Sequence, residues 1–382
     1  MRLPSRMLPA ALVAAGLSGF ASAETLTAVP GQPLQALLDR ARDGDVVELA
    51  PGDYNGSIRI DRPLALTGRP GAVLDGGGSG NVVTVTAPDV TVRGVTIRGS
   101  GRDLQAMNSG VFLQKTAERA TIENNRLVGN LFGVYVHGAT GSRVANNLIE
   151  GLRGHRLSEA GNGVSLWNAP EVTIADNTFR YGRDGIFTIS SRKDRFVGNR
   201  FEQVRFAVHY MYTNDSEVSG NVSIGNHVGY AIMYSNRLII RDNISDRDRD
   251  HGLLFNYANY AEIDGNRVTG GTIGYGVRRE RRGAGRRARH DPGHEARAEL
   301  AKRPGEVRVH LQHEPQPVPE QLVRTLRHRR SFHGRIRRQR DHRKRLRRQS
   351  EPGQICRYAQ PRLVQGRPRQ LLERQSRLRS RR

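Results

Sequence analysis

One spacing limits what this chain can fold into. Pairs ending in asparagine recur as Asn124-Asn125, Asn146-Asn147, Asp176-Asn177, Gly198-Asn199, Gly220-Asn221, Asp242-Asn243 and Gly265-Asn266. Their second residues are separated by 22, 30, 22, 22, 22 and 23 positions. The long interval contains residues 155–162, and removing about those eight residues restores the register. Between the pairs stand short β-branched runs, without apolar heptads and without the leucine-spaced consensus of leucine-rich repeats. A constant period built from such runs is the pattern of a solenoid in which each period is one coil. The expected fold is therefore all-β, a right-handed parallel β-helix with coils of about 22 residues.

Residues 133–136, 163–166, 185–189 and 208–211 read as one strand of successive coils, and residues 143–144, 172–174, 195–197 and 238–240 as its partner just before the next asparagine. Stacking these strands buries a continuous apolar bore. Asparagine and glycine suit the corner because they tolerate a left-handed backbone at low cost, and stacked asparagine amides can hydrogen-bond from coil to coil. The Asn-x-Ser sequons at Asn55, Asn214, Asn221 and Asn243 have that structural reason to exist and are read as coincidental. Upstream, residues 35–42 read as a short helix and 45–50 as a first strand whose polar opening caps the bore. From Asp45 to Val277 there is room for roughly ten coils, a rod about 50 Å long at one strand spacing per coil.

The two ends have a different character. Arg2 and Arg6 precede an apolar run from Met7 to Leu17, and Ala21-Ser22-Ala23 follows as a small-residue cleavage pattern. The run is shorter than the ~20 residues that span a bilayer, so residues 1–23 read as a secretory signal peptide cleaved after Ala23. The single cysteine, Cys356, excludes a disulfide framework and a thiolate metal site in the repeats. Residues 277–382 hold 33 Lys and Arg against 10 Asp and Glu, whereas the first 276 hold 28 against 27. A nucleic-acid arm is disfavoured: 31 of the 33 are arginine, the aromatics are only Phe332 and Tyr358, and an exported chain rarely meets nucleic acid. The rhythm stops after Thr269-Gly270-Gly271 and gives way to aperiodic Arg, Gln, Pro, His and Gly. That is the text a GC-rich gene gives out of frame. The expectation is a β-helix over residues 24–276 and, from 277 to 382, a disordered basic tail from out-of-frame translation. It leaves Val268, Ile273 and Val277 at an uncovered, aggregation-prone end.

Residues 205–212 (Arg-Phe-Ala-Val-His-Tyr-Met-Tyr), 229–235 and 251–257 resemble the NosD family of nitrous-oxide-reductase maturation proteins, and residues 103–112 and 185–187 also match its phrasing. The resemblance covers about Gly44 to Gly271, and the family's later coils and closing segment rich in Gly, Asn, Trp and Asp have no counterpart here. It implies a periplasmic β-helix that serves as an accessory factor and not as a catalyst. Its implied partners are the permease and ATPase of a membrane ABC transporter, nitrous oxide reductase and a periplasmic copper chaperone. Its implied task is assembly of the copper-sulfide centre.

The residues that could touch copper are His209, Met211 and Met233. Met211 and Met233 stand one period apart, so they are expected one above the other, and thioether and imidazole donors suit Cu(I). A methionine stripe at coil spacing is more often core packing, and a lone histidine beside Tyr210 more often a satisfied surface or core residue. His137 and His251 are secondary candidates. The competing reading is a β-helix polysaccharide-processing enzyme: a lyase, hydrolase or uronate epimerase. It needs two carboxylates at a fixed separation, or a calcium site with a base. Asp184, Glu202, Asp215, Glu217 and residues 246–250 supply acids without a pair stacked at one period, and the nearest epimerase-like string, Asp291-Pro292-Gly293-His294-Glu295, is interrupted and lies in the tail.

Overall fold

The computed structural model describes residues 23–270 in full and, beyond them, the backbone of three strands, Ile273–Arg278, Arg297–Leu300 and Glu306–Leu311. The signal-peptide segment and the rest of the basic tail lie outside the described residues.

Each coil contributes three strands, and equivalent strands of successive coils pair in parallel. A ladder of ten strands, most of them longer, runs from Ile58–Ile60 through Phe132–His137, Asp184–Ile189 and Phe206–Met211 to Ile273–Arg278. Two ladders of mostly three-residue strands form the other faces, one through Thr121–Glu123 and Arg143–Ala145, the other through Arg126–Val128 and Leu148–Glu150. The last coil joins them in one strand, Ala261–Thr269. Inward positions stack into unbroken columns. Val47, Leu66, Val92, Ile122, Val144, Ile174, Phe196, Val218, Ile240 and Ile263 follow one another in register and are all buried. Phe179 and Phe201 stack with centroids 4.9 Å apart in a second column. Removing such side chains from water is the main cohesive term, at roughly 1.5–3 kcal/mol for each large residue.

The doubled corner residues perform two separate tasks. The first of each pair takes the left-handed conformation: φ is 54° at Asn124 and Asn146, 56° at Asp176, 68° at Gly198 and 63° at Gly220. The second is buried and bonds vertically. The backbone N–H groups of Asn125, Asn147, Asn177, Asn199, Asn221 and Asn243 each donate, at 2.9–3.0 Å, to the side-chain oxygen of the ladder asparagine one coil on. The left-handed residue breaks the strand, which explains why each coil has a third ladder that the alternation pattern alone did not reveal. The burial of Asn221 and Asn243 agrees with the structural reading of those sequons.

The expected helix occupies Leu34–Arg40 and buries Leu34 and Leu38 against the first coil. Ahead of it an unforeseen strand, Thr25–Ala28, pairs in parallel with Val46–Leu49. Residues 153–159, which include most of the insert, bulge outward, exposed, without disturbing the stack. Ile273–Arg278 adds a parallel strand beyond the last clean repeat, and Glu306–Leu311 pairs antiparallel with Ala261–Thr269 while also pairing with Arg297–Leu300. Glu306–Leu311 thus lies along the edge of the last coil, and Arg297–Leu300 lies outside it. The sequence of Glu306–Leu311 alternates enough to satisfy that edge, as in Val307-Arg308-Val309-His310-Leu311. No helix among the described residues is long and apolar enough to cross a membrane.

Candidate functional site

The ten-stranded ladder has an inner face in the bore and an outer face toward solvent. In Phe206–Met211, Val208 and Tyr210 belong to the core, so the alternation of a strand turns His209 and Met211 outward. Met211 is in direct register with Met233, both are half-buried, and strand spacing sets them about 4.8 Å apart. The sequence expectation of a stacked methionine pair therefore holds, and the pair lies on the outer face and not in the core. Trp167 and Ile189 continue the same column below, so Trp167, Ile189, Met211 and Met233 form a soft apolar line with Trp167 43% exposed.

Beside this line runs a ladder of tyrosines. Tyr212, Tyr234 and Tyr257 each follow their strand at the same corner and stack at 5.2 and 5.0 Å, with ring planes 20° and 7° apart. All three have positive φ, 52°, 51° and 54°, a conformation costing a bulky side chain roughly 1–2 kcal/mol. Stacking returns about 0.5–1.5 kcal/mol per pair, and Tyr212 and Tyr234 still expose 50% and 39% of their surface. Sequence reasoning passed over this ladder, although its 22- and 23-residue intervals were a signal.

His209 is held from below. Its Nδ1 lies 3.2 Å from Oδ2 of Asp184, a carboxylate 1% exposed at the start of the preceding strand. Arg205 grips the same carboxylate with both nitrogens, Nε to Oδ1 at 2.8 Å and Nη2 to Oδ2 at 2.6 Å. Burial pushes the Asp184 carboxyl up, but the hydrogen bonds from His209 and Arg205 outweigh it and hold the group below the usual carboxylate range. Phe187 and Phe206 flank the imidazole at 5.0 and 4.9 Å. The Asp184 bond fixes the ring and leaves Nε2 as the nitrogen directed elsewhere. A histidine so anchored by a carboxylate is the arrangement metal-ligating imidazoles use. With two thioethers on the same face, the donor set is of the soft type that suits Cu(I), and among the described residues no cluster of three His, Cys, Asp or Glu offers a harder site.

The secondary candidates are elsewhere. His137 is three coils below Met211 in the same column, edge-on to Trp167 at 4.5 Å; its Nδ1 is buried without a partner, and burial lowers its pKa. His251 opens the strand opposite Val228, at the other border of the face.

Fold and face together define a parallel β-solenoid that presents a soft, aromatic outer strip. Residues 80–191 match the family described as "Right handed beta helix region", and residues 145–282 match "Periplasmic copper-binding protein (NosD)". Among curated proteins, the chain is 38% identical over 243 residues to a probable ABC transporter binding protein NosD of Stutzerimonas stutzeri, covering 63% of this chain and 54% of that one. It is 39% identical over 175 residues to the same-named protein of Pseudomonas aeruginosa, covering 46% and 39%. An alginate lyase from Paenibacillus sp. str. FPU-7 aligns with a TM-score of 0.53 at 17% identity, over 66% of this chain and 99% of that one, a likeness of fold alone. The chain belongs to the NosD family. It spans about half the length, or less, of these curated relatives.

Proposed function

We propose that this protein is a periplasmic accessory factor that works with a membrane ABC transporter in the maturation of nitrous oxide reductase, at the step that assembles its copper-sulfide centre. The observation that carries the reading is the Met211–Met233 register pair beside the carboxylate-anchored His209, on the outer face of a chain whose family is described as periplasmic and copper-binding. The three side chains would hold copper transiently, receiving it from a periplasmic chaperone and giving it up toward the reductase, with residues 1–23 serving as the export signal. When bound, copper would be the cargo, and the protein's own contribution is to orient the donors on a rigid ladder. The exposed, stacked Tyr212 and Tyr234 are the docking surface for a partner, because contiguous exposed aromatic area is characteristic of interaction sites.

The family names and the absence of a stacked carboxylate pair in the sequence favour an accessory role over the polysaccharide-processing alternative. The aperiodic text after residue 276 remains assigned to out-of-frame translation, testable by reading the gene in its other frames for further 22-residue coils. Function is tested by deleting the gene in a denitrifying host and assaying reductase activity and copper content. Loss of the copper-sulfide signature, restored by the in-frame gene, is expected; a fully active reductase in the deletion strain overturns the proposal, and release of unsaturated oligosaccharides from alginate or pectin would establish the sugar-enzyme alternative.

A further inference from the structure

The other border of the ten-stranded ladder, where each coil turns into its long strand, carries a groove of about 700 Å³. Basic residues of successive coils line it. His227 hydrogen-bonds through its N–H to the carbonyl of Val204 in the coil below, and Arg249 likewise to Asn226, so Arg205, His227 and Arg249 climb the groove one coil at a time, with Arg247 beside them. No carboxylate is among the described residues that line it.

The guanidinium groups differ in how freely they can take a ligand. Arg249 is exposed and has no ion-pair partner among the described residues. Arg247 pairs with Asp246 at 2.8 Å, with the two side chains 67% and 32% exposed, and an exposed pair of this kind is worth little and exchanges readily. Arg205 commits two N–H donors to Asp184, and its planar fork has three more. At one strand spacing per coil Arg205 and Arg249, two coils apart, span roughly 10 Å, longer than a single tetrahedral ion. Leu157, from the insert, and Val204 add apolar wall.

We propose that this groove binds a multiply charged oxyanion of the phosphate class, with at least two charged groups in line. Arg247 and Arg249 make charge-assisted hydrogen bonds to it, with Arg205 at the back wall. Arginine suits this role because its fork matches phosphoryl oxygens two at a time. The inference is independent of copper, although Asp184 joins the two regions: the carboxylate that holds His209 also holds Arg205.

The test uses the full chain at low salt and an arginine-directed dicarbonyl reagent, with modification at each residue read by peptide mass spectrometry. Pyrophosphate is expected to slow modification of Arg247 and Arg249 several-fold and orthophosphate to do so less, while Arg93 and Arg143, exposed on the other ladders, react unchanged. Arg247→Gln combined with Arg249→Gln should weaken the protection of Arg205 by pyrophosphate about tenfold. Vesicles of phosphatidylglycerol that protect better than pyrophosphate would identify a lipid headgroup as the source of the same chemistry. Equal protection of Arg93, Arg143 and the groove arginines would mean a diffuse ion atmosphere around a basic chain and would overturn the proposal. So would stronger protection by a tetraglutamate peptide, which would assign the groove to an acidic protein segment.

Discussion

Replacing Asn199 by alanine should cost this solenoid far more than any exposed corner change. Asn199 is fully buried, and its side chain serves three coils. Its Oδ1 accepts from the Asn177 N–H at 3.0 Å and from Asn177 Nδ2 at 3.0 Å, while its own Nδ2 donates to the carbonyl of Ile174 at 2.9 Å and to Oδ1 of Asn221 at 3.0 Å. In Asn199→Ala the Asn177 N–H loses its acceptor, and the Ile174 carbonyl loses its side-chain donor. Asn177 Nδ2 keeps the Val144 and Ala175 carbonyls, so it adds little to the deficit. Two stranded buried backbone groups at about 1–3 kcal/mol each give a loss of roughly 2–6 kcal/mol. The control is Asn124→Gly: Asn124 is exposed at φ 54°, a conformation glycine adopts without strain, so its change should stay within about 0.5 kcal/mol. Urea unfolding followed by circular dichroism compares the two, and hydrogen exchange at the Asn177 amide localises the effect. A loss below about 0.5 kcal/mol in Asn199→Ala, or an equal loss in both variants, would refute the vertical-ladder reasoning.

Two further perturbations probe the bore. Phe201→Ala removes one ring of the Phe179–Phe201 stack from a fully buried site and should destabilise by about 3–5 kcal/mol in the same urea assay, whereas Phe201→Leu should recover much of the loss. Asp194 is buried, and burial pushes its carboxyl from 3.8 up to about 7. Because the folded value lies above the unfolded one, its stabilising contribution is complete below about 3.8 and is lost as pH rises through about 7. Asp194→Asn lacks that slope, so the stability of the natural chain relative to this variant should fall between pH 4 and pH 8; a pH-independent difference would show that the buried carboxyl titrates normally.

The sequence exposed the repeat and hid the contacts made across it. A 22-residue beat marks coil boundaries because every coil must turn at the same place, and that is why the Met211–Met233 register could be had from counting alone. The third ladder, with strands such as Arg126–Val128, was not visible, since a run that short carries no alternation and follows the left-handed Asn124 by two residues. Asp184 and Arg205 stood in the text as an ordinary acid and base. Only the coil geometry brings the carboxylate beneath both Arg205 and His209, which lie 21 and 25 residues further along the chain. The tyrosines at 212, 234 and 257 were legible as a period but not as a stack, because aromatic residues at left-handed corners contradict local preference. Glu306–Leu311 pairs with the edge of Ala261–Thr269, and Arg297–Leu300 pairs in turn with Glu306–Leu311, contacts that no local pattern announces.

The central claim, that the outer face holds copper through Met211, Met233 and His209, is tested most directly by titrating the full-length protein with Cu(I) against a chromophoric competing chelator, beside Met211→Leu with Met233→Leu. The leucine pair nearly conserves volume and removes only the thioether donors, so folding should be retained while binding weakens. The account predicts one Cu(I) per chain that the double variant holds at least tenfold more weakly, with circular dichroism unchanged. An equal Cu(I) affinity in a well-folded double variant would contradict it and return the methionine pair to a purely packing role.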